Sequence, residues 1–361
     1  MLDITRENTD PQIKSLEKDH DDLDLENIKI MNNFLDKNCP SFKEKFELLE
    51  YISSGSTGIV YIGKIINKND NKFYYFKFCI KTNKYKKYFN NESLEIKDLK
   101  ALYHNNISEI FQFYKIDSTN FISVSELCKY VNLDIFLHKF LKRNYLTETF
   151  INYLTKPILE AMFYMHYKKK LILLSITKNN IALESDLNPK LINFSSAISF
   201  RNKEPNDLTQ IPLIGDRRNL SPELLQGQEI EVKFGDKIDM YSFGVTLYNL
   251  AFGCYPYGLN NLKDDEPDTI SGQLNDAELD FPFDIEISER FKNFLRNILE
   301  KDYIRRYSTK DALNDHWVKG WDIINEEKEN IVIEENFVNF FVKLSTDTIP
   351  EFNEYINNNN C

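Results

Sequence analysis

The chain has 361 residues, and at about 100–200 residues per domain that allows two lobes with tails. Apolar residues make up 42% and charged residues 28%, as in soluble globular proteins, and no run approaches the roughly 18 apolar residues of a membrane-spanning helix. The 45 Lys and Arg against 56 Asp and Glu leave a net charge of −11, which argues against a general nucleic-acid binder. The five cysteines, at 39, 79, 128, 254 and 361, have neither metal-ligand nor redox spacing. The start, MLDITRENTD, has no apolar signal core. Both features predict reduced thiols in an intracellular setting, cytoplasmic or nuclear.

Residues 1–44 read as an acidic extension: nine Asp or Glu and three Lys or Arg fall in the first 26. Asp10-Pro11 is a helix-start pattern, and Ile28, Met31 and Phe34 or Leu35 share a helical face. From Phe46 the texture changes. Phe46–Ile52, Ile59–Ile62, Lys72–Lys81 and Phe121–Leu127 read as strands, rich in aromatic and β-branched residues. Asn91–Tyr103 carries helical spacing between them. Beyond about residue 131 helical patterns dominate: Leu133–Leu141, Phe150–His166, the strongly apolar Asp239–Phe252 and the amphipathic Glu289–Lys301. Short strands and loops fill Ile172–Phe194. In a tail from 321 to 361, Phe337, Phe340, Phe341 and Leu344 repeat at i, i+3, i+4, i+7.

Ser53-x-Gly55-x-x-Gly58-x-Val60 lies between two expected strands. Glycines there let backbone N–H groups approach an anion, although a tight hairpin with no ligand has the same pattern. Further along come Ser221-Pro222-Glu223, Asp239-Met240-Tyr241-Ser242-Phe243-Gly244-Val245, and Asp302 to Ser308 with Arg306, followed by Ala312-Leu313 and His316-Trp317. Taken in order over about residues 46–320, these resemble the eukaryotic protein kinase family of Ser/Thr type. The resemblance implies an α+β, bilobal fold: a small antiparallel-sheet lobe with one helix at 45–130 and a larger, mainly helical lobe at 131–320. It also implies structural roles for Glu223, Asp239 and Arg306, with Glu223 and Arg306 as an ion pair.

By the same resemblance, ATP would be held by Gly55, Gly58, Val60, a strand lysine and its partner Glu95, with Ser125, Glu126 and Cys128 lining the hinge. Two lysines compete. Lys77 lies 17 residues after Val60 and 18 before Glu95, whereas Lys81 sits in Phe78-Cys79-Ile80-Lys81 and needs a longer turn. If Lys77 is the one, Tyr75 stands where a small residue packs on adenine. Leu99, Ile110, Phe194 and Leu173 would stack as an apolar spine.

The catalytic loop departs from the family. Leu173, Leu174 and Ser175 stand in place of His, Arg and Asp, and Thr177 in place of the transfer-site lysine unless Lys178 supplies it. Asn180 remains as a metal ligand, and Asn193, 13 residues later, replaces the metal-binding Asp. A Ser hydroxyl is a poor base, and losing such a group costs about 10²–10⁴ in rate. A neutral amide grips Mg²⁺ poorly, because that ion prefers carboxylate with phosphate. Leu174 removes the arginine that would read a phosphorylated activation segment, which disfavours switching through Ser196, Ser199 or Thr209. The reading is a catalytically inactive kinase-like domain, a pseudokinase, that acts as a scaffold or allosteric regulator of a protein partner such as an active kinase or another signalling component. It expects weak ATP binding at most and no firm Mg²⁺ site. The alternative is an active Ser/Thr kinase with unusual residues, with Asp186 or Asp216 as substitute acids.

Overall fold

The structure is a computed structural model that describes residues 27–320, apart from 56–57, 67–72, 80–98, 100, 117–120, 131, 142–144, 175, 195 and 263–266. The acidic residues 1–26, Lys81, Glu95, Ser175 and the tail stripe Phe337–Leu344 therefore lie outside the described residues.

The chain forms two compact units. One comprises Met1–Thr82 and Ile110–Leu127, the other Asn83–Glu109 and Cys128–Cys361. The first is built on an antiparallel sheet of five strands in the order β1-β2-β3-β5-β4: β1 (Phe46–Gly55), β2 (Gly58–Ile65), β3 (Phe73–Cys79), β4 (Ile110–Lys115) and β5 (Phe121–Glu126). β1 runs three residues past its expected end, and Gly55 at its end pairs with Gly58 at the start of β2. β4, Ile-Phe-Gln-Phe-Tyr-Lys, is not anticipated by the sequence reading.

Residues 27–38 are helical (α1), followed by α2 (Pro40–Lys43). The expected shared face is real: Met31 and Leu35 are buried, Ile28 is partly buried, and Phe34 points outward. Together with Cys39 and Phe42 they pack on one face of the sheet against Phe46, Leu48, Tyr61, Tyr74, Phe76, Tyr114, Ile122 and Val124. Phe42 is the hub, with ring centroids 5.0 Å from Phe46, 5.1 Å from Phe76 and 5.4 Å from Tyr114, the last two edge-on as aromatic quadrupoles favour. The segment expected to be an extension thus supplies four of the twelve buried residues of this core cluster. Side chains alternate along a strand, so Val60, Lys77 and Ser123, which pair across the sheet, belong to the opposite face.

The second unit contains α3 (Leu133–Ile135, continued by a wider π turn through Leu141), α4 (Glu148–Phe163, likewise continued through Lys169), α5 (Pro222–Leu225), α6 (Asp236–Phe252), α7 (Pro267–Asp276), α8 (Glu289–Ile298) and α9 (Thr309–Asn314). Three two-stranded ribbons join them: β6 (Leu171–Ile172) with β9 (Ile198–Ser199), β7 (Ile181–Leu183) with β8 (Pro189–Leu191), and β10 (Leu208–Gln210) with β11 (Glu229–Glu231). Helix α6 is apolar all round because it is buried all round; 15 of its 17 residues are buried. Gly244 permits the contact with α8: a Cβ there would sit 2.9 Å from a Leu299 methyl.

Leu35, at 0% exposure, tests the role of α1. Leu35→Ala is expected to cost about 2–5 kcal/mol by cavity formation, and Phe34→Ala to stay within about 0.5 kcal/mol. Urea unfolding followed by tyrosine fluorescence checks the contrast.

Candidate functional site

The loop between β6 and β7 is held by side chains of α6. Asp239, fully buried, accepts the backbone N–H of Leu173 and of Leu174, each at 2.7 Å. Ser242 and Thr246 donate to the carbonyl of Ile176, at 3.2 and 2.6 Å. These positions are i, i+3 and i+7 of one helix, and so fall on one face. They fix the backbone on both sides of residue 175. Asp239 also meets His166 Nε2 at 2.7 Å, and His166 Nδ1 meets Thr309 Oγ at 2.8 Å. A carboxylate only accepts, so Nε2 carries the proton. Leu174 is left-handed, at φ +61°, which costs a residue with a Cβ about 1–2 kcal/mol. Its bond to Asp239 and its burial offset that cost.

Two asparagines follow in this region. Asn180 ends a short turn (Lys178–Asn180), and its carbonyl accepts from Ile192 N–H at 2.9 Å. Asn193 is also left-handed, at φ +66°, a region that Asn tolerates better than most residues. Its Nδ2 donates to Asn180 Oδ1 at 2.7 Å. The two positions expected to ligate a divalent ion are therefore brought together, as an amide bonded to an amide. Neither carries charge, and the acceptor oxygen already takes a donor. This donor set does not fit Mg²⁺, which asks for carboxylate oxygens and near-octahedral geometry. Among the described residues no cluster of three His, Cys, Asp or Glu side chains could hold a metal.

The substitute groups weighed from sequence are engaged elsewhere. Lys178 pairs with Asp134 at 2.9 Å, so its ammonium neutralises the start of α3. Asp186 sits exposed in the β7–β8 turn, where it accepts the N–H of Asn188. Asp216 is clasped by Arg218, with Nε at 3.0 Å and Nη2 at 2.6 Å, and also accepts from Tyr255 Oη at 3.1 Å. Burial pushes its carboxyl up, but the hydrogen bonds and charge of Arg218 outweigh that and hold it below the ordinary carboxylate value. A carboxylate with a lowered pKa is a weak base.

In the first unit, Val60 and Lys77 are buried and face each other across β2 and β3. Lys77 is only 4% exposed, unusual for an ammonium. Tyr75 lies in β3 opposite Ile62 and Ser125, and Glu126 ends β5 opposite Tyr74. In the second unit Cys128, Leu99, Leu173 and Phe194 are buried. Ser108 and Leu191 share a backbone bond, and Asn106 Nδ2 donates to Asn188 and to the carbonyl of Pro189. Sequence reasoning missed this Asn106 clasp, because one more Asn in an Asn-rich chain carries no signal.

The expected ion pair is present. Arg306 Nη1 and Nη2 donate to Glu223 Oε1 and Oε2 at 2.7 and 2.9 Å. The remaining donors go to the carbonyls of Glu300, Lys237 and Lys301, and the guanidinium lies 4.9 Å from the Tyr241 ring. All five N–H groups are satisfied at 1% exposure.

The family model described as protein kinase domain matches residues 46–318. The chain belongs to the protein kinase domain family. It is 29% identical to the cell cycle serine/threonine-protein kinase CDC5/MSD2 of Saccharomyces cerevisiae over 226 residues, covering 63% of this chain and 30% of that protein. It is 27% identical to calcium-dependent protein kinase 4 of Plasmodium falciparum over 293 residues, covering 79% of this chain and 52% of that one. With serine/threonine-protein kinase 36 of Mus musculus it shares 27% over 278 residues, 77% of this chain and 19% of the other. The matched part thus spans about a fifth to a half of each relative's length. Among the described residues no helix is long and apolar enough to cross a membrane.

Two outcomes are expected. Arg306→Lys keeps the charge but loses the bidentate fork, and should cost about 3–5 kcal/mol in urea unfolding, as for other broken buried pairs. The lowered pKa of Asp216 means that its contribution is complete above the ordinary carboxylate pKa and is lost as pH falls through the folded value. Asp216→Asn should therefore flatten the acid limb of stability against pH and leave the neutral limb's slope unchanged, as read by thermal unfolding from pH 2 to 7.

Proposed function

We propose that this chain is a pseudokinase, a protein kinase domain that has lost phosphoryl transfer and acts as a scaffold or allosteric regulator of a protein partner in signalling. The observation that carries the reading is the bond from Asn193 Nδ2 to Asn180 Oδ1. An amide bonded to an amide supplies no charge to hold a divalent ion against phosphates, and electrostatic stabilisation is the main term in this chemistry. The engagement of Lys178 and Asp216 supports the same reading, because these replacement groups, weighed from the sequence, are used structurally. Ser175 adds a neutral hydroxyl where the family places its base. Meanwhile the supports of the loop, Asp239, Ser242, Thr246 and the Glu223–Arg306 pair, are intact. Selection for shape without selection for charge transfer leaves this combination.

A second reading, an active Ser/Thr kinase, draws on the buried Lys77, on the Gly55–Gly58 turn and on relatives named as kinases. Those residues would hold the phosphates of ATP, and weak nucleotide binding without metal is compatible with both readings.

The discriminating experiment is a thermal-shift titration with ATP, with and without Mg²⁺, run beside a labelled-phosphate transfer assay on the full chain. The pseudokinase reading expects no transfer and a shift that Mg²⁺ does not enlarge. It further expects Ser175→Asp with Asn193→Asp to introduce a Mg²⁺-dependent shift. Transfer that disappears in the Lys77→Ala, Lys81→Ala double variant would establish the active kinase instead.

A further inference from the structure

The end of helix α4 gathers cations. The π turn Tyr164–Lys169 is closed by Lys170 in a left-handed conformation, at φ +57°. Glycine is the usual residue at such a helix end, so a lysine there accepts backbone strain. Lys168 and Lys169 precede it. The Phe200 N–H donates to the Lys170 carbonyl at 2.8 Å, which brings in Arg201 and Lys203 from the stretch after β9. These five cations meet no acid in their own segments: residues 161–183 and 187–203 contain no Asp or Glu, in a chain of net charge −11. Cations in the last turn of a helix suit its dipole, but that accounts for Lys168 and Lys169 alone. Lys169 donates to the Ala101 carbonyl at 2.7 Å and covers the Tyr164 ring at 5.3 Å, and Lys203 donates to Thr209 Oγ at 2.7 Å. Lys168 and Lys170 are exposed and, among the described residues, have no ion-pair partner. Tyr103, whose N–H donates to Tyr164 Oη at 3.1 Å, stands beside the turn at 87% exposure.

We propose that this lysine turn is the docking site of the chain's own acidic tail, residues 326–335. Those residues lie outside the described ones, and their sequence carries five Glu against one Lys. Like charges gathered on one surface repel one another, and an acidic segment laid across them removes that repulsion. The tail also leaves the folded body close by. His166 Nδ1 meets Thr309 Oγ at 2.8 Å, and Asp236 accepts both the Tyr167 hydroxyl, at 2.8 Å, and the Thr309 N–H, at 3.2 Å. The start of α9 therefore abuts the residues just before the lysines. The largely helical stretch from Thr309 to Gly320 carries the chain less than about 20 Å away, at about 1.5 Å per residue. The six residues from there to Glu326 span about 20 Å when extended, enough to return. Tyr103 then offers its ring to Ile331, Val332 and Ile333, which separate the glutamates. This inference concerns one surface of the second unit and stands whether or not the chain transfers phosphate.

Carbodiimide coupling on the full chain tests it, because the reagent joins an ammonium to a carboxylate only where the two touch. At low salt, peptide mass spectrometry should find Lys168 or Lys170 joined to a glutamate of residues 326–335. The link should stay within one chain when isotope-labelled and unlabelled protein are mixed, and 0.5 M NaCl should lower its yield at least about fivefold by screening. Trypsin gives an independent reading. Lys168→Glu combined with Lys170→Glu should speed cleavage after Lys328 at least about fivefold, because cleavage follows the undocked population. Lys292→Glu on α8 should leave that rate within about 1.5-fold of the wild type. Links that run only to residues 1–26, or only between differently labelled chains, would overturn the proposal. So would the absence of any link to Lys168 or Lys170, or cleavage after Lys328 that is indifferent to the double reversal. None of these readouts depends on phosphotransfer, so their failure leaves the pseudokinase reading untouched.

Discussion

The carboxylate of Asp239 organises the second unit. Buried completely, it takes two backbone N–H groups from Leu173 and Leu174 and a third donor from His166. Without it, those amides would lie unpaired inside the protein, at about 1–3 kcal/mol each. With it, a strained backbone at Leu174 becomes affordable, and the loop holds a fixed path between β6 and β7. His166 and Thr309 extend the constraint to the start of α9, so one side chain ties three elements of the unit to α6. Its hydrogen bonds depend on backbone groups and not on what the loop residues carry. The hold on Leu173 and Leu174 is therefore independent of their side chains.

The path of this loop is held by groups that lie outside it. The shape rests on Asp239, on the two hydroxyls that hold the Ile176 carbonyl, and on the five-donor embrace of Arg306. At the two positions expected to ligate a divalent ion, the side chains are amides bonded to each other. The Lys178–Asp134 and Arg218–Asp216 pairs are internally neutral, and so leave little field for an incoming phosphate. The apolar character extends to the segment beyond, where Leu174 packs among Ile198, Phe200, Ile211, Ile214 and Leu220.

Much of this was legible in the residues. Asn180 and Asn193 were matched by resemblance to the family's metal-ligand positions, and the β7–β8 hairpin between them brings the two side chains into contact. Glu223 and Arg306 were paired by resemblance and meet as expected. The buried helix was visible as an apolar run, although its start at Asp236 was set three residues too late. Other features left no readable trace. β4 alternates too weakly to distinguish from a loop, and its strand character comes from pairing with β5. The engagement of Lys178 and Asp216 depends on contacts with Asp134, 44 positions away in the chain, and with Tyr255, 39 away, which periodicity cannot report. The cluster around Leu174 gathers residues from 172 to 238, each an ordinary aliphatic in its own neighbourhood.

The helical segment before the sheet has a practical implication for where this domain starts. Similarity to the family begins at Phe46, the first residue of β1. Trimming the chain at that point would remove Met31, Leu35, Cys39 and Phe42 and uncover the rings of Phe46, Tyr74, Phe76 and Tyr114 to water. A contiguous aromatic surface of that kind seeks other molecules, so the shortened protein would be sticky where the intact one is shielded. The natural border of the folded body therefore lies upstream of the family's own, at or before residue 27.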